Sequence, residues 1–458
     1  MSFIDEVKSK CSMNSQLTRA GEEVDTAQLQ QTDRSGPGIP AWATEQAKAQ
    51  GAVNQEANEA KKVAQVLTYL NCAKDQYGDV VVRYKPARRN EVAKLDSARG
   101  QDMLRIVAKS VTGKTPNKGA IEILSSEIRM SVMARGLEVE TFLRVGKDSL
   151  GRFCIDLGDV DGTCAVVDSG SWYVSDQVDV AFVRPHSFAS LPSPIRPDSA
   201  GDALRKLWTF FESRGVPGNR ILLVIAALVC YLKHGVAYPV LSFIGPAASG
   251  KSTVVLQLLL LFDPPKSQKT LPTTELTEEH IAATAQVRHG ITADNKSSLS
   301  KDEQDTLCRC STGGETYQRK LYTNGDVFIL PMHRPIMITS VNSLVKAPDL
   351  MTRTVFVDLP ARSNPETFDA VMADFRAQQG ELFGALLELV AVSTVPIPNE
   401  TSAGHRLVDF VLAGQRFCHH AGIDPQKFIQ CVDNMRESTG AELAAGSAFI
   451  KKVQAVIT

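Results

Sequence analysis

The sequence predicts an α/β fold for the central part of the chain, on three observations. Helix-like and strand-like segments alternate from about residue 200 to about Leu359. The run VLSFIG at Val240–Gly245 is apolar and ends in glycine, which is typical of a buried strand in a parallel sheet. A helical pattern follows from Lys251. This alternation implies helices packed around a largely parallel sheet.

Changes in composition divide the chain into four predicted segments. The proline-rich stretch LPSPIRP at Leu191–Pro197 is the best candidate linker. The predicted segments are a flexible polar arm at 1–60, a mixed α+β accessory domain at 61–197 that is a candidate DNA-binding domain, the α/β core at 198–362 and a helical C-terminal region at 363–458.

Local patterns predict several individual elements. DVVVRY at Asp79–Tyr84 and RFCIDL at Arg152–Leu157 are short and rich in β-branched or aromatic residues, so both predict strands. Gly119–Gly136 carries apolar residues at helical spacing. The most apolar run, Ile221–Leu232, is too short to cross a bilayer of about 30 Å, so it predicts a buried core helix.

Composition excludes several classes of protein. The formal net charge is −1, so nothing global attracts nucleic acid or membrane, and any basic surface must be local. The nine cysteines form no CxxC pair, which argues against a disulfide framework or a zinc ribbon. The polar start MSFIDEVKSK lacks the apolar core of a signal peptide. We expect a cytoplasmic protein without a membrane partner.

The strongest motif is GPAASGKS, directly after the VLSFIG strand. It matches G-x-x-x-x-G-K-[ST] at every fixed position. In such a loop the backbone N–H groups wrap phosphates, the lysine reaches the β- and γ-phosphates, and the hydroxyl binds Mg²⁺. The loop therefore predicts ATP and Mg²⁺ as cofactors. The candidate binding residues are Gly245, Pro246, Ala247, Ala248, Ser249, Gly250, Lys251, Ser252 and Thr253.

A loop of this kind needs an acid at the end of another strand to hold the Mg²⁺. Asp294 closes the segment HGITAD, at a distance along the chain that suits neighbouring strands with one crossover between them. Ser252 and Asp294 are thus the candidate metal ligands. The next residue is Asn295, whose amide can orient a water but cannot take its proton. Glu303, Asp305 and Glu315 are all candidates for the base.

The stretch that begins at Asp294 resembles the ATPase domain of superfamily 3 helicases and poxvirus-type primase–helicases of phages and mobile elements. The resemblance covers roughly residues 60–450 and is strongest from Tyr238 to Leu359. The matching strings are Asp294–Asn295, Leu307–Arg309, Thr312–Gly314, Arg319–Thr323 and Asp349–Arg353. The resemblance implies a P-loop NTPase of the AAA+ division, a hexameric homo-oligomeric ring, single-stranded DNA as partner and the cytoplasm of a bacterial host.

The resemblance also implies roles for single residues. Arg353 lies where such ATPases carry an arginine that reaches the γ-phosphate of a neighbouring subunit, and Arg319 is the rival. Asn342 and Thr339 are alternative candidates for the polar residue that senses the γ-phosphate. Lys251, Asp294 and Asn295 complete the catalytic set.

Two basic stretches are candidate DNA contacts. Arg319 and Lys320 lie in ETYQRKLYTNGDVF, where Asn-Gly predicts a hairpin turn, and the resemblance implies that this hairpin grips DNA. The segment Arg83–Lys118 has ten Lys/Arg and three acids, a net charge of +7. In both places a solvated surface is the alternative.

Three functions follow from these patterns. The first is a ring-forming, ATP-driven DNA helicase or translocase that replicates a phage, plasmid or integrative element, with priming by a partner replication protein. The second is a regulatory or defence NTPase whose ATP state switches assembly with a partner protein. A small-molecule kinase is the third, and it leaves the strings from Thr312 to Arg353 unexplained.

Overall fold

The structure is a computed structural model, and it describes residues 62–85, 91–319, 327–362, 366–402 and 404–446. The predicted arm at 1–60 lies outside these residues. The described chain forms two compact units, each considered by itself. The first comprises residues 62–85 and 92–139, and the second comprises residue 91 and the residues from 140 onward.

The first unit is a small sheet with two helices. Its elements are β1 (Leu70–Asp75), β2 (Val80–Tyr84), β3 (Glu91–Lys94), α1 (Ala98–Thr112), α2 (Lys118–Arg135) and β4 (Glu138–Val139). The strand order is β4-β1-β2-β3, with β1 antiparallel to β2 and parallel to β4. Val82, Leu104 and Ile128 are fully buried between sheet and helices. The predicted strand at 79–84 and helix at 119–136 are confirmed as β2 and α2.

The second unit begins with short strands. They are β5 (Thr141–Phe142), β6 (Val145–Lys147), β7 (Phe153–Asp156), β8 (Cys164–Asp168), β9 (Ser171–Ser175) and β10 (Ala181–Val183). Strands β6 to β9 form an antiparallel meander, and β5 pairs in parallel with β10. The strand predicted at Arg152–Leu157 is confirmed as β7.

A second four-stranded sheet of this unit is parallel. Its region contains α3 (Ala200–Ser213), α4 (Gly218–Tyr231), β11 (Val240–Ile244), α5 (Lys251–Phe262), α6 (Glu278–Ala285), β12 (Ile291–Lys296), α7 (Lys301–Thr312), β13 (Glu315–Arg319), β14 (Val327–Pro331), β15 (Ile336–Ser340), α8 (Pro348–Met351) and β16 (Thr354–Asp358). The order β12-β15-β11-β16 is parallel throughout. The predicted mixed α/β architecture is confirmed.

One detail of this sheet differs from the sequence-based expectation. The spacing suggested that the strand after the loop, β12, is the direct neighbour of β11. In the structure β15 lies between them and pairs with both. All five residues of β15 are buried. An interior position of the sheet is therefore occupied by a strand that follows β12 in the sequence.

Helices complete the second unit. They are α9 (Phe368–Val392), α10 (Val408–His420) and α11 (Pro425–Gly446). The predicted core helix is confirmed as α4, whose residues from Arg220 to Tyr231 are all buried. A single cluster of buried apolar side chains runs from Val145 to Met435 and holds the sheets and helices together. Within the described chain, no helix is both long and apolar enough to cross a membrane.

Candidate functional site

The loop between β11 and α5 has a backbone that only small residues accommodate easily. Gly250 has φ of +85° and Ala248 has φ of +63°, both in the left-handed region that favours glycine. At Gly245 a Cβ atom would collide with the backbone carbonyl oxygen of Leu359. The two glycines of the motif are therefore explained by a left-handed turn at one end of the loop and a close approach of the chain at the other.

Helix α5 begins directly at the end of this loop. Its N-cap is Gly250, and no side chain caps the first turn. The first N–H groups of a helix have no partner inside the helix, and together with the helix dipole they attract anions. The first turn of α5 thus supplies donors for an anion held in the loop.

Lys251 turns back over the loop that precedes it. Its Nζ donates hydrogen bonds to the carbonyl oxygens of Gly245 and Pro246, at 2.7 and 2.8 Å, and lies 3.3 Å from the Ser249 hydroxyl. The residue is only 9% exposed. Burial lowers the pKa of its ammonium group, and the attraction of Asp294 opposes that shift. The cation is therefore fixed inside the curve of the loop.

Polar side chains from three elements meet beside Lys251. The Ser252 hydroxyl donates to Asp294 Oδ1 at 2.7 Å, and the Thr339 hydroxyl donates to the same oxygen at 2.6 Å. Thr339 Oγ1 in turn accepts the backbone N–H of Asn295 at 2.7 Å. These residues come from the start of α5 and the ends of β12 and β15, which meet because parallel strands end at one edge of the sheet.

The backbone around Asp294 is held in a specific conformation. Asn295 has φ of +51°, and the register between β12 and β15 shifts between Ala293 and Lys296. The Thr273 hydroxyl accepts the N–H of Asp294 at 3.0 Å, and the N–H of Thr274 bonds to the Thr292 carbonyl at 3.0 Å. The Asp294 carboxylate that contacts Ser252 therefore lies within a local irregularity of β12.

Two of the predicted catalytic residues do not join this cluster. Asn342 is exposed beyond the end of β15, and its carbonyl accepts the Ser340 hydroxyl at 2.7 Å. Arg353 is 4% exposed; its guanidinium forms an ion pair with Asp349 and donates to the Asp349 carbonyl at 2.9 Å. The sensor and finger roles of these residues stay predictions.

The three candidates for the base are placed differently from one another. Glu303 closes a capping box with Ser300 at the start of α7 and forms a 2.9 Å ion pair with Lys296. Burial alone would raise the pKa of its carboxyl, but the hydrogen bonds from Ser300 and Lys296 outweigh it and lower the pKa. Asp305 and Glu315 are exposed. Among the three, only Glu303 has both carboxylate oxygens engaged by neighbours in the described chain.

The predicted DNA hairpin is seen in part. Strands β13 and β14 pair antiparallel, with Arg319 opposite Val327. Lys320 and the predicted Asn-Gly turn lie outside the described residues. The sequence did not indicate Thr273, which contacts Asp294, or Arg362, which lies beside Gly250, because no motif in the chain contains either residue.

The fold and the site together define a mixed α/β protein in which a glycine loop, a lysine and a hydroxyl–carboxylate cluster meet at one edge of a parallel sheet. Residues 209–439, just over half of the chain, match the family model of the actinomycete integrative conjugative element replication proteins. The chain belongs to this family, so it is a replication protein of a mobile element. No curated protein matches it significantly.

Solved structures similar to this chain include two described as helicases and one described as a C-terminal region. "SCCmec type IV Cch - active helicase" is 15% identical with a TM-score of 0.48, covering 85% of this chain and 76% of that one. The NrS-1 C-terminal region is 12% identical with a TM-score of 0.37, covering 70% and 69%. JCV helicase is 12% identical with a TM-score of 0.22, covering 50% and 75%.

Proposed function

We propose that this replication protein is an ATP-dependent DNA helicase or translocase with a P-loop NTPase core of the AAA+ type. The contact between Ser252 and Asp294, beside a loop that encloses Lys251, is the observation that carries the proposal. A hydroxyl and a carboxylate that share a hydrogen bond next to a phosphate-type loop form the usual magnesium pair of such enzymes. The superfamily 3 assignment is part of this proposal.

The residues present fit MgATP by their chemistry. Hydroxyl and carboxylate oxygens are the ligands that Mg²⁺ prefers, so Ser252 and Asp294 would hold it. When bound, the ion would supply positive charge beside the phosphate oxygens. The loop amides and the first turn of α5 would bind the phosphates, and Lys251 would exchange its carbonyl partners for phosphate oxygens. Thr339 orients the Asp294 carboxylate through its 2.6 Å hydrogen bond.

The chain offers no strong base for activating the water that attacks the γ-phosphate among the candidates Glu303, Asp305 and Glu315. Asn295 can orient a water by hydrogen bonding, and the base would have to come from Glu303, Asp305 or Glu315. Glu303 has a lowered pKa and is held by Lys296, which makes it a poor proton acceptor. We therefore expect slow hydrolysis in the absence of DNA.

The proposal also includes assembly into a ring and movement on DNA. We propose a hexameric ring in which Arg353 or Arg319 completes the site of a neighbouring protomer. Arg319 and Lys320 of the β13–β14 hairpin would contact single-stranded DNA. In the first unit, Arg105, Lys109, Lys114 and Lys118 are exposed, so salt-dependent phosphate binding there is a second DNA contact. Priming would come from a separate replication protein.

The test is the rate of ATP hydrolysis with and without single-stranded DNA. The proposal predicts that DNA raises the rate, that Lys251→Ala abolishes it, and that Lys320→Ala removes the stimulation while leaving the basal rate. A strand-displacement assay then separates unwinding from translocation. Turnover that survives in Lys251→Ala would place the nucleotide site elsewhere.

The alternative is a regulatory NTPase that switches protein assembly without unwinding DNA. Asn295 at the place of a second acid is the observation that favours it, because a slow site suits a switch. This alternative predicts nucleotide-dependent oligomer size, no stimulation by DNA and no salt-dependent DNA binding.

A further inference from the structure

Arg362 lies against the end of the loop that leads into α5. A Cβ atom built on Gly250 would be 2.9 Å from both Cζ and Nη2 of Arg362, and 3.0 Å from its Nε. The guanidinium therefore packs directly on the glycine that precedes Lys251. A second cation thus lies at the N-terminal end of α5, beside Gly250.

The path of the main chain explains why Arg362 reaches this place. Strand β16 pairs with β11 to its last residue, and the N–H of Leu359 continues the ladder to the Ile244 carbonyl at 2.7 Å. The Leu359 carbonyl then lies against Gly245. The stretch from Leu359 to Arg362 therefore follows the loop from its first glycine to its last, and its position is set by the central sheet.

The hydrogen-bonding capacity of Arg362 is largely unused. A guanidinium has five N–H donors. Among the described residues, the acceptor that Arg362 meets is the backbone carbonyl of Arg214, at 3.3 Å, and it forms no ion pair. The side chain is partly exposed.

Two other arginines of the second unit behave differently. Arg214, which supplies that carbonyl, pairs its own guanidinium with Asp374, and Arg353 pairs with Asp349. Their charges are neutralised within the chain. Arg362 has no carboxylate partner in the described chain, although it is held in place beside a loop built for anions.

We propose that Arg362 binds the phosphate groups of the nucleotide in the same protomer, together with Lys251. This inference rests on the proposed nucleotide site and adds a residue to it. The guanidinium offers paired N–H donors to phosphate oxygens, and charge-assisted hydrogen bonds of this kind are among the strongest in proteins. The ligand class is a nucleoside di- or triphosphate.

Titration of the full chain with a fluorescent ATP analogue, mant-ATP with Mg²⁺, tests the proposal. We expect Arg362→Ala to weaken binding by about 10- to 100-fold, the loss typical of a hydrogen bond to a charged group. Arg362→Lys keeps the charge but loses the paired N–H donors of the guanidinium, so the affinity of this variant should fall between those of wild type and Arg362→Ala. Arg376→Ala removes an exposed arginine of α9 and should change affinity less than twofold.

A structural role for Arg362 would give another pattern. In that case Arg362→Ala would lower the melting temperature of the nucleotide-free protein and leave the mant-ATP affinity unchanged, which overturns the proposal. Arg362→Gln retains an amide that can donate to the Arg214 carbonyl while removing the charge, and it carries the test if the alanine variant does not fold. We expect Arg362→Gln to bind as weakly as Arg362→Ala.

The same titration separates this inference from the proposed function. If wild type binds mant-ATP, Lys251→Ala does not, and Arg362→Ala binds like wild type, only the role of Arg362 is wrong. If Lys251→Ala binds as tightly as wild type, the nucleotide site lies elsewhere and both proposals fail.

Discussion

The charged groups at the two ends of helix α5 differ in their partners. At the N-terminal end, Lys251 is held by neutral oxygens, and the amides of the first turn have no capping side chain. At the C-terminal end, Asp263 is completely buried and accepts the backbone N–H groups of His289 and Gly290, at 3.0 and 2.9 Å. It also forms ion pairs with Arg288 at 3.1 Å and Arg144 at 3.4 Å.

The Asp263 carboxylate at the buried end is surrounded by donors supplied by the chain. Arg144 is 0% exposed, and it also donates to the carbonyls of Asp156 and Ala189, at 3.0 and 2.8 Å. Burial alone would raise the pKa of Asp263, but Arg288 and Arg144 outweigh it and bring the pKa below its ordinary value. This cluster ties the end of α5 to the short strands of the second unit and to the start of β12.

The comparison shows how one helix can serve two purposes. A charge whose partners are all supplied by the chain fixes the fold, because removal of any member leaves an uncompensated buried charge. A charge held only by neutral oxygens of a loop is able to exchange them for the oxygens of an anionic ligand. Four predictions test this division, from the largest expected effect to the smallest.

Lys251→Ala should have the largest effect on activity. Loss of the cation from the loop should reduce ATP turnover by about a hundred- to a thousandfold or more. The free energy of unfolding should change by less than about 1 kcal/mol, because the carbonyls that Lys251 contacts can be solvated at the loop. Steady-state hydrolysis and urea denaturation measure the two quantities, with the exposed Lys301→Ala as control.

Asp263→Asn should have the reverse effect. It leaves Arg144 and Arg288 without their shared carboxylate, and we expect the free energy of unfolding to fall by about 3–5 kcal/mol. Urea denaturation measures this change. The affinity of the folded protein for mant-ATP should be close to that of wild type. A normal stability with lost nucleotide binding would contradict the division between the two ends.

Thr339→Val should reduce turnover by about 10- to 100-fold, as is typical when a group that orients a metal ligand is removed. Valine keeps the volume of Thr339 but removes the donor to Asp294 and the acceptor of the Asn295 N–H. Hydrolysis rates measured across Mg²⁺ concentrations check this. Asn342→Ala, measured in parallel, decides between the two sensor candidates: the contacts predict the larger loss for Thr339.

Arg353→Ala should have the smallest effect if its ion pair with Asp349 is its main role. We then expect a loss of stability of about 1–3 kcal/mol and a modest effect on basal turnover. Mixing Arg353→Ala with Lys251→Ala protein distinguishes the finger role. An arginine that acts across a subunit boundary would let the mixture regain turnover, since some interfaces would combine an intact loop with an intact arginine.

The sequence anticipated the features that depend on local pattern. The strand–loop–helix at the motif follows from an apolar run, two glycines and a helical period, and α4 follows from its own composition. The prediction of β12 depended more on its distance from the loop along the chain than on its composition. The sequence did not reveal that β15 separates β11 from β12, because strand order depends on which strands are most completely buried across the whole sheet.

Side-chain roles were less accessible from sequence than the elements that carry them. The sequence offered Asn342 as the sensor with Thr339 as the alternative, and only the register of β15 shows that Thr339 faces Asp294. No sequence motif marks Asp263, because its partners Arg144 and Arg288 are 119 and 25 residues away in the chain. Arg362 was missed for the same reason: its place beside Gly250 depends on the pairing of β16 with β11.

A structure of the protein with Mg²⁺ and a non-hydrolysable ATP analogue tests the central claim most directly. The account predicts phosphates within the Gly245–Ser252 loop, Lys251 moved from its carbonyl partners onto phosphate oxygens, and Mg²⁺ between Ser252 and Asp294. A nucleotide bound away from this loop, with the hydrogen bond between Ser252 and Asp294 undisturbed, would contradict it.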